Sequence, residues 1–117
     1  MILHIVRRAD WESARARGFY APASLAAEGF IHCSTIEQLL HTANRYYRGQ
    51  HNLIVLCIDE SRLETAPKYE PPIPAHDHTP EALFPHLYGP LNLDGVIHVI
   101  DFPSDADGSF KLPTELR

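Results

Sequence analysis

The sequence predicts an α+β fold, and three observations carry that reading. An uninterrupted apolar run, Leu53-Ile54-Val55-Leu56-Cys57-Ile58, has the composition of a central strand covered on both faces. Ahead of it, Ile36, Leu39, Leu40, Ala43, Tyr46 and Tyr47 recur at helical spacing. The whole chain then reads β-α-β-α-β-β-loop-β with only two substantial helices. That order lacks the regular alternation of a doubly wound sheet.

Each element has its own local cause. Residues 2–6 alternate as a short strand, with Ile2, His4 and Val6 on one face. Asp10 is placed to cap a helix from Trp11 to Arg17, which Gly18 closes. Tyr20 to Pro22 reads as a turn, and Ser24 as the cap of one helical turn, Leu25 to Glu28. A strand over 30–33 follows Gly29. Alternation puts Phe30, His32 and Ser34 on one side of it and turns Ile31 and Cys33 toward the core. Ser34-Thr35-Ile36-Glu37 fits a capping box, with Ser34 at N-cap and Glu37 at N3, and Gly49 ends the helix it opens.

Asp59 to Arg62 turn, and Pro67-Lys68-Tyr69-Glu70 reads as an edge strand. Seven of the ten prolines fall between Pro67 and Pro90, so that stretch is expected to be a loop without regular ladders. Within it, Phe84-Pro85-His86-Leu87-Tyr88-Gly89-Pro90 is too aromatic for a linker, and Phe84 is expected to be buried. Asp94-Gly95 marks a turn before a last strand, Val96 to Phe102, and Asp107-Gly108 a further turn.

With 117 residues, 44% of them apolar, the chain is expected to form one domain over 1–117. Its net charge of −5 and the lack of a basic run disfavour extended nucleic-acid binding. A small anionic ligand needs only one or two local arginines, so that class stays open. The apolar start, Met1 to Val6, is too short for a signal peptide, and no apolar run approaches a membrane span. Cys33 and Cys57 fall in predicted strands and read as reduced, buried thiols. The expectation is a cytoplasmic protein with no membrane partner.

The chemistry concentrates in histidines. His76-x-His78 with His86 nearby is the strongest metal candidate, yet no cysteine or carboxylate stands beside it at standard spacing, so no metal is expected. His98 reads as a satisfied, half-buried histidine, and His41 and His51 as solvent residues. The six glycines are scattered singly, which leaves no phosphate loop, and there is no Gly-x-Ser-x-Gly elbow. What remains is a polar cluster of His4, His32, Ser34, Glu70, His86 and Tyr88. His4 and His32 stand on otherwise apolar strand faces. A buried polar group without a partner costs about 1–3 kcal/mol, so their surroundings or a ligand must satisfy them. The competing reading makes His32 a hydrogen-bonded rim residue and Ser34 only a helix cap.

These residues also carry a resemblance. Leu3-His4-Ile5-Val6, Gly29 to Gln38, Tyr69-Glu70 and Phe84 to Leu91 resemble the bacterial and plant family called domain of unknown function 952. The resemblance implies an ADP-ribosyltransferase-like fold, with two small mixed or antiparallel sheets around a nucleotide cleft. More distantly, Ile31-His32-Cys33-Ser34, the helix after it and Leu53 to Asp59 are similar to RNA 2′-phosphotransferases, which act with NAD. That similarity implies NAD or a related nucleotide or phosphoribosyl compound as ligand. It makes His32 a contact to phosphate or ribose, Glu70 the acid and His4 the lining of the base pocket. Ser34, Phe84, His86 and Tyr88 would complete the substrate wall, with Phe84 or Tyr88 stacking on the base.

Two readings therefore stand. One is a small transferase-like enzyme working on a ribosyl ligand. The other is a non-catalytic ligand-binding or interaction domain of the same fold, which the lack of counterparts to the phosphate-holding arginines supports.

Overall fold

The computed structural model describes residues 1–71 and 83–117. Strand β1 (Ile2–Arg7) pairs antiparallel with β4 (Leu53–Ile58), which pairs in turn with β8 (Val96–Asp101). The apolar run is thus the central strand, and all six of its residues are buried. One face of this sheet carries Ile2, Val6, Ile54, Leu56 and Ile58, packed with Trp11, Tyr20, Ile31 and Leu87. The other carries Leu3, Ile5, Val55 and Ile100, covered by Leu39 and Ala43 of α3 (Ile36–Tyr46) and by Phe102 and Phe110. Two faces buried on period two explain why neither strand shows a polar side.

A second antiparallel sheet has the order β3 (Ile31–His32), β6 (Phe84–Leu87), β5 (Lys68–Glu70). The two sheets are joined by a single bridge in which Leu3 and Ser34 exchange both backbone hydrogen bonds, each 2.8 Å long. That bridge sets the residues just after β3 beside the start of β1, and the functional geometry depends on it. A short ribbon of β2 (Phe19–Tyr20) and β7 (Leu91–Asn92) closes one flank. The architecture is α+β with small antiparallel sheets, as the element order predicts.

Several local expectations need correction. Helix α1 (Arg8–Arg17) starts at Arg8 with Arg7 as N-cap, so Asp10 lies in its first turn and forms an ion pair with Arg7 at 3.0 Å. Pro22, not Ser24, precedes α2 (Ala23–Glu28). The capping box is shifted by one residue. Thr35 is the N-cap and Gln38 the N3 partner, and the Gln38 amide oxygen accepts from the Thr35 backbone at 3.0 Å. Ser34 is thereby released from capping, because its backbone is held in the bridge to Leu3.

Phe84–Leu87 forms a strand despite Pro85, where a loop was expected. Pro85 accepts a hydrogen bond from the Cys33 amide at 3.0 Å but has no N–H to return, so the β3–β6 ladder stops there. Phe84 is half-buried rather than buried. Tyr20, read as a turn, is a strand residue in the core. His98 is exposed rather than half-buried, in a stretch of β8 where Ile97 and Val99 are exposed as well. His76 and His78 lie outside the described residues. Both cysteines are buried and free, and they belong to the two different core faces.

Candidate functional site

Where the two sheets meet they leave a cleft of about 680 Å³. A volume of about 300–1,000 Å³ is usual for a small-molecule site. His4, His32, Ser34, Phe84 and His86 all line it. Glu70 and Tyr88 are not on its wall. Tyr20, Glu28 and Thr42 are, although the sequence reading passed over them.

Each histidine is held differently. His4 is buried on β1, and its Nδ1 donates to the carbonyl of His32 at 2.6 Å. A carbonyl only accepts, so the proton sits on Nδ1. Nε2 of the neutral ring then accepts from the Tyr20 hydroxyl at 2.8 Å. Burial holds the His4 pKa down at about 4, so the ring is neutral at physiological pH. The same burial raises the Tyr20 pKa, which keeps the phenol protonated.

His32 is half-exposed at the rim, and its Nε2 lies 3.1 Å from both carboxylate oxygens of Glu28. Gly29, in the left-handed region at φ 89°, turns the chain between α2 and the strand and returns Glu28 to a histidine four residues on. His86, only 2% exposed, donates from Nδ1 to Glu70 Oε1 at 2.9 Å. The same oxygen accepts from the Tyr88 hydroxyl at 2.5 Å. These two bonds, Tyr88 first and His86 second, lower the Glu70 pKa and keep it ionised. Glu70 thus holds His86 from behind the cleft wall.

Phe30 binds the group together. Its ring stacks on His86 at 4.1 Å and meets His32 at 4.7 Å and Tyr88 at 5.3 Å. Ser34 is buried and makes a long 3.4 Å contact from its hydroxyl to Thr42 Oγ1. Arg7 also lines the cleft, paired there with Asp10. Among the described residues, no group of three or more His, Cys, Asp or Glu side chains is arranged to hold a metal ion.

Comparison with known proteins places the chain. The family model described as "Protein of unknown function (DUF952)" matches residues 5–99. The chain belongs to this family. The X-ray structure of protein CC0527 from Caulobacter crescentus is similar at 38% identity and a TM-score of 0.85, covering 98% of this chain and 96% of that one. A solution NMR structure of the same protein gives 34% identity and a TM-score of 0.70, with coverages of 95% and 91%. No curated protein matches. The DUF952 assignment agrees with the resemblance carried by the Gly29–Gln38 and Phe84–Leu91 segments.

Among the described residues of this DUF952 chain, no helix is long and apolar enough to cross a membrane. Of the residues the sequence singled out, the fold brings His4, His32, Ser34, Phe84 and His86 to one cleft. It leaves Tyr88, 41% exposed under Lys68, on the outer side of Glu70. Tyr20 and Glu28 gave no signal in sequence. One looked like a turn residue and the other like the end of a helix.

Proposed function

We propose that the cleft binds a ribosyl ligand, NAD or a related nucleotide or phosphoribosyl compound, and that the protein acts on it as a transferase-like enzyme. The observation that carries this reading is the convergence of His32 and His86 on one cleft, each ring fixed by its own carboxylate. A carboxylate that orients one ring nitrogen leaves the other set to exchange hydrogen bonds or protons with a ligand. Among the described residues, His86 Nε2 and His32 Nδ1 have no protein partner. In ribosyl chemistry the anomeric carbon gains positive charge as its substituent departs, and a nearby carboxylate stabilises that charge. Glu28, on the cleft wall beside His32, fits that role better than Glu70, which lies off the wall. Phe84 offers the half-buried aromatic face for a base. The ADP-ribosyltransferase-like relationship implied by the sequence belongs to this same proposal.

One observation favours the non-catalytic alternative. Arg7, the arginine on the cleft wall, is already paired with Asp10, which leaves a pyrophosphate without a ready cation. Thermal shift with NAD, ADP-ribose and ribose 5-phosphate tests binding, since a ligand at 100 times its Kd stabilises the fold by about 2.7 kcal/mol. Nicotinamide release from NAD tests catalysis. A shift with release supports the enzyme, and a shift without release supports the binding domain. No shift with any of the three contradicts the ribosyl reading.

A further inference from the structure

Tyr20 stands at the end of a hydrogen-bond relay that the proposed reading does not use. The His32 carbonyl fixes the proton of His4 on Nδ1, and that leaves Nε2 as the acceptor for Tyr20. The hydroxyl proton of Tyr20 is therefore already donated. Among the described residues its oxygen has no further partner. The side chain has no freedom to turn away, since Tyr20 is 5% exposed, packed in the core and paired through its backbone with Leu91.

We propose that Tyr20 is a specificity-determining residue of the cleft, an acceptor-only oxygen that reads a ribose hydroxyl. This rests on the ribosyl reading above and narrows it. A phenol whose proton is engaged offers lone pairs, which attract a hydroxyl and repel a phosphate oxygen. The neighbouring wall agrees in sign. Glu28 and Asp10 are both on it, and Arg7 is neutralised by Asp10. The sugar, not the phosphate, sits against Tyr20. A site that hydrogen-bonds a hydroxyl discriminates against the analogue lacking it, because its own polar group is then left unpaired.

Calorimetric titration of the full chain with adenosine, 2′-deoxyadenosine and 3′-deoxyadenosine tests the assignment, comparing wild type with Tyr20→Phe. In wild type, one of the two deoxy probes should bind about 5–10-fold more weakly than adenosine, the scale of one hydrogen bond. In Tyr20→Phe, adenosine should weaken by a similar factor, and that deoxy penalty should fall below about twofold. Adenosine binding that ignores Tyr20→Phe, or a deoxy penalty that survives it, overturns the assignment while leaving the ribosyl reading intact. Wild type that binds neither adenosine nor NAD overturns both. A ligand-free arm is independent of how the variant folds. Imidazole nitrogen NMR of the wild type should show His4 as the Nδ1–H tautomer, and the Nε2–H tautomer would overturn the relay.

Discussion

His32 and His86 are register partners across β3 and β6, their ring centroids 5.8 Å apart, yet each is anchored by a different carboxylate, one on the cleft wall and one behind it. His32 leans on Glu28, at the end of α2, and His86 leans on Glu70, on β5. A cross-strand pair on adjacent strands places two side chains on the same face. Here that face is the cleft, and Phe30 fills the space beside both rings. The two imidazoles therefore share a location but differ in burial, and their substitutions should separate function from folding.

His32→Ala removes a half-exposed ring whose ion pair with Glu28 is at the surface, so stability should change by no more than about 1 kcal/mol. Binding of ADP-ribose should nevertheless be lost. His86→Ala empties a buried site against Phe30 and should cost about 2–4 kcal/mol. Urea melts of both variants, with and without ADP-ribose, check the contrast. Equal destabilisation by the two would show that His32 is structural.

The helix cap offers a second check. Thr35 caps α3 and Gln38 answers it, so Thr35→Ala should destabilise the protein by about 1 kcal/mol. Ser34→Ala leaves the cap intact and removes only a 3.4 Å contact to Thr42, so its cost should be smaller. Denaturant midpoints of the two variants decide which residue caps the helix. A larger loss from Ser34→Ala would return the cap to the position that the Ser-x-x-Glu spacing suggests.

That one-residue difference illustrates what sequence reveals here. β4 and α3 are legible because burial on both faces and burial on one face leave distinct patterns, an unbroken apolar run and a helical repeat. The cap is ambiguous because Ser34 and Thr35 both begin a capping-box pattern, and the tertiary bridge to Leu3 decides between them. β6 is hidden by Pro85, which is tolerated because the ladder to β3 ends there. β2 and β7, two residues each, are too short to carry a period. In the site, the histidines stand out as polar residues on apolar strands. Tyr20 and Glu28 do not, since their roles arise only when the sheets meet.

A third prediction concerns pH. His4 titrates at 6.5 when unfolded and at about 4 in the fold, because burial disfavours its charged form. Between those values the unfolded chain binds the extra proton, so stability rises with pH across the window. The contribution is complete above 6.5 and is lost as pH falls toward 4, a change on the order of 3 kcal/mol. Glu70, whose pKa is lowered by Tyr88 and then His86, acts in the same direction at more acidic pH. Urea melts from pH 7.5 to 4 should show the decline, and His4→Asn should flatten the upper part of it. A wild-type curve flat between 6.5 and 4 would mean that His4 is not buried in neutral form.

The most direct test of the central claim is an amide NMR titration of the full chain with ADP-ribose. The ribosyl cleft predicts saturable shift changes at His4, Tyr20, Glu28, His32, Ser34 and His86, with β8 on the far edge of its sheet unaffected. His32→Ala should abolish these changes without altering the spectrum away from the cleft. Saturating ADP-ribose that perturbs no cleft residue, or that perturbs β8 instead, would contradict the assignment of this cleft as a ribosyl-binding site.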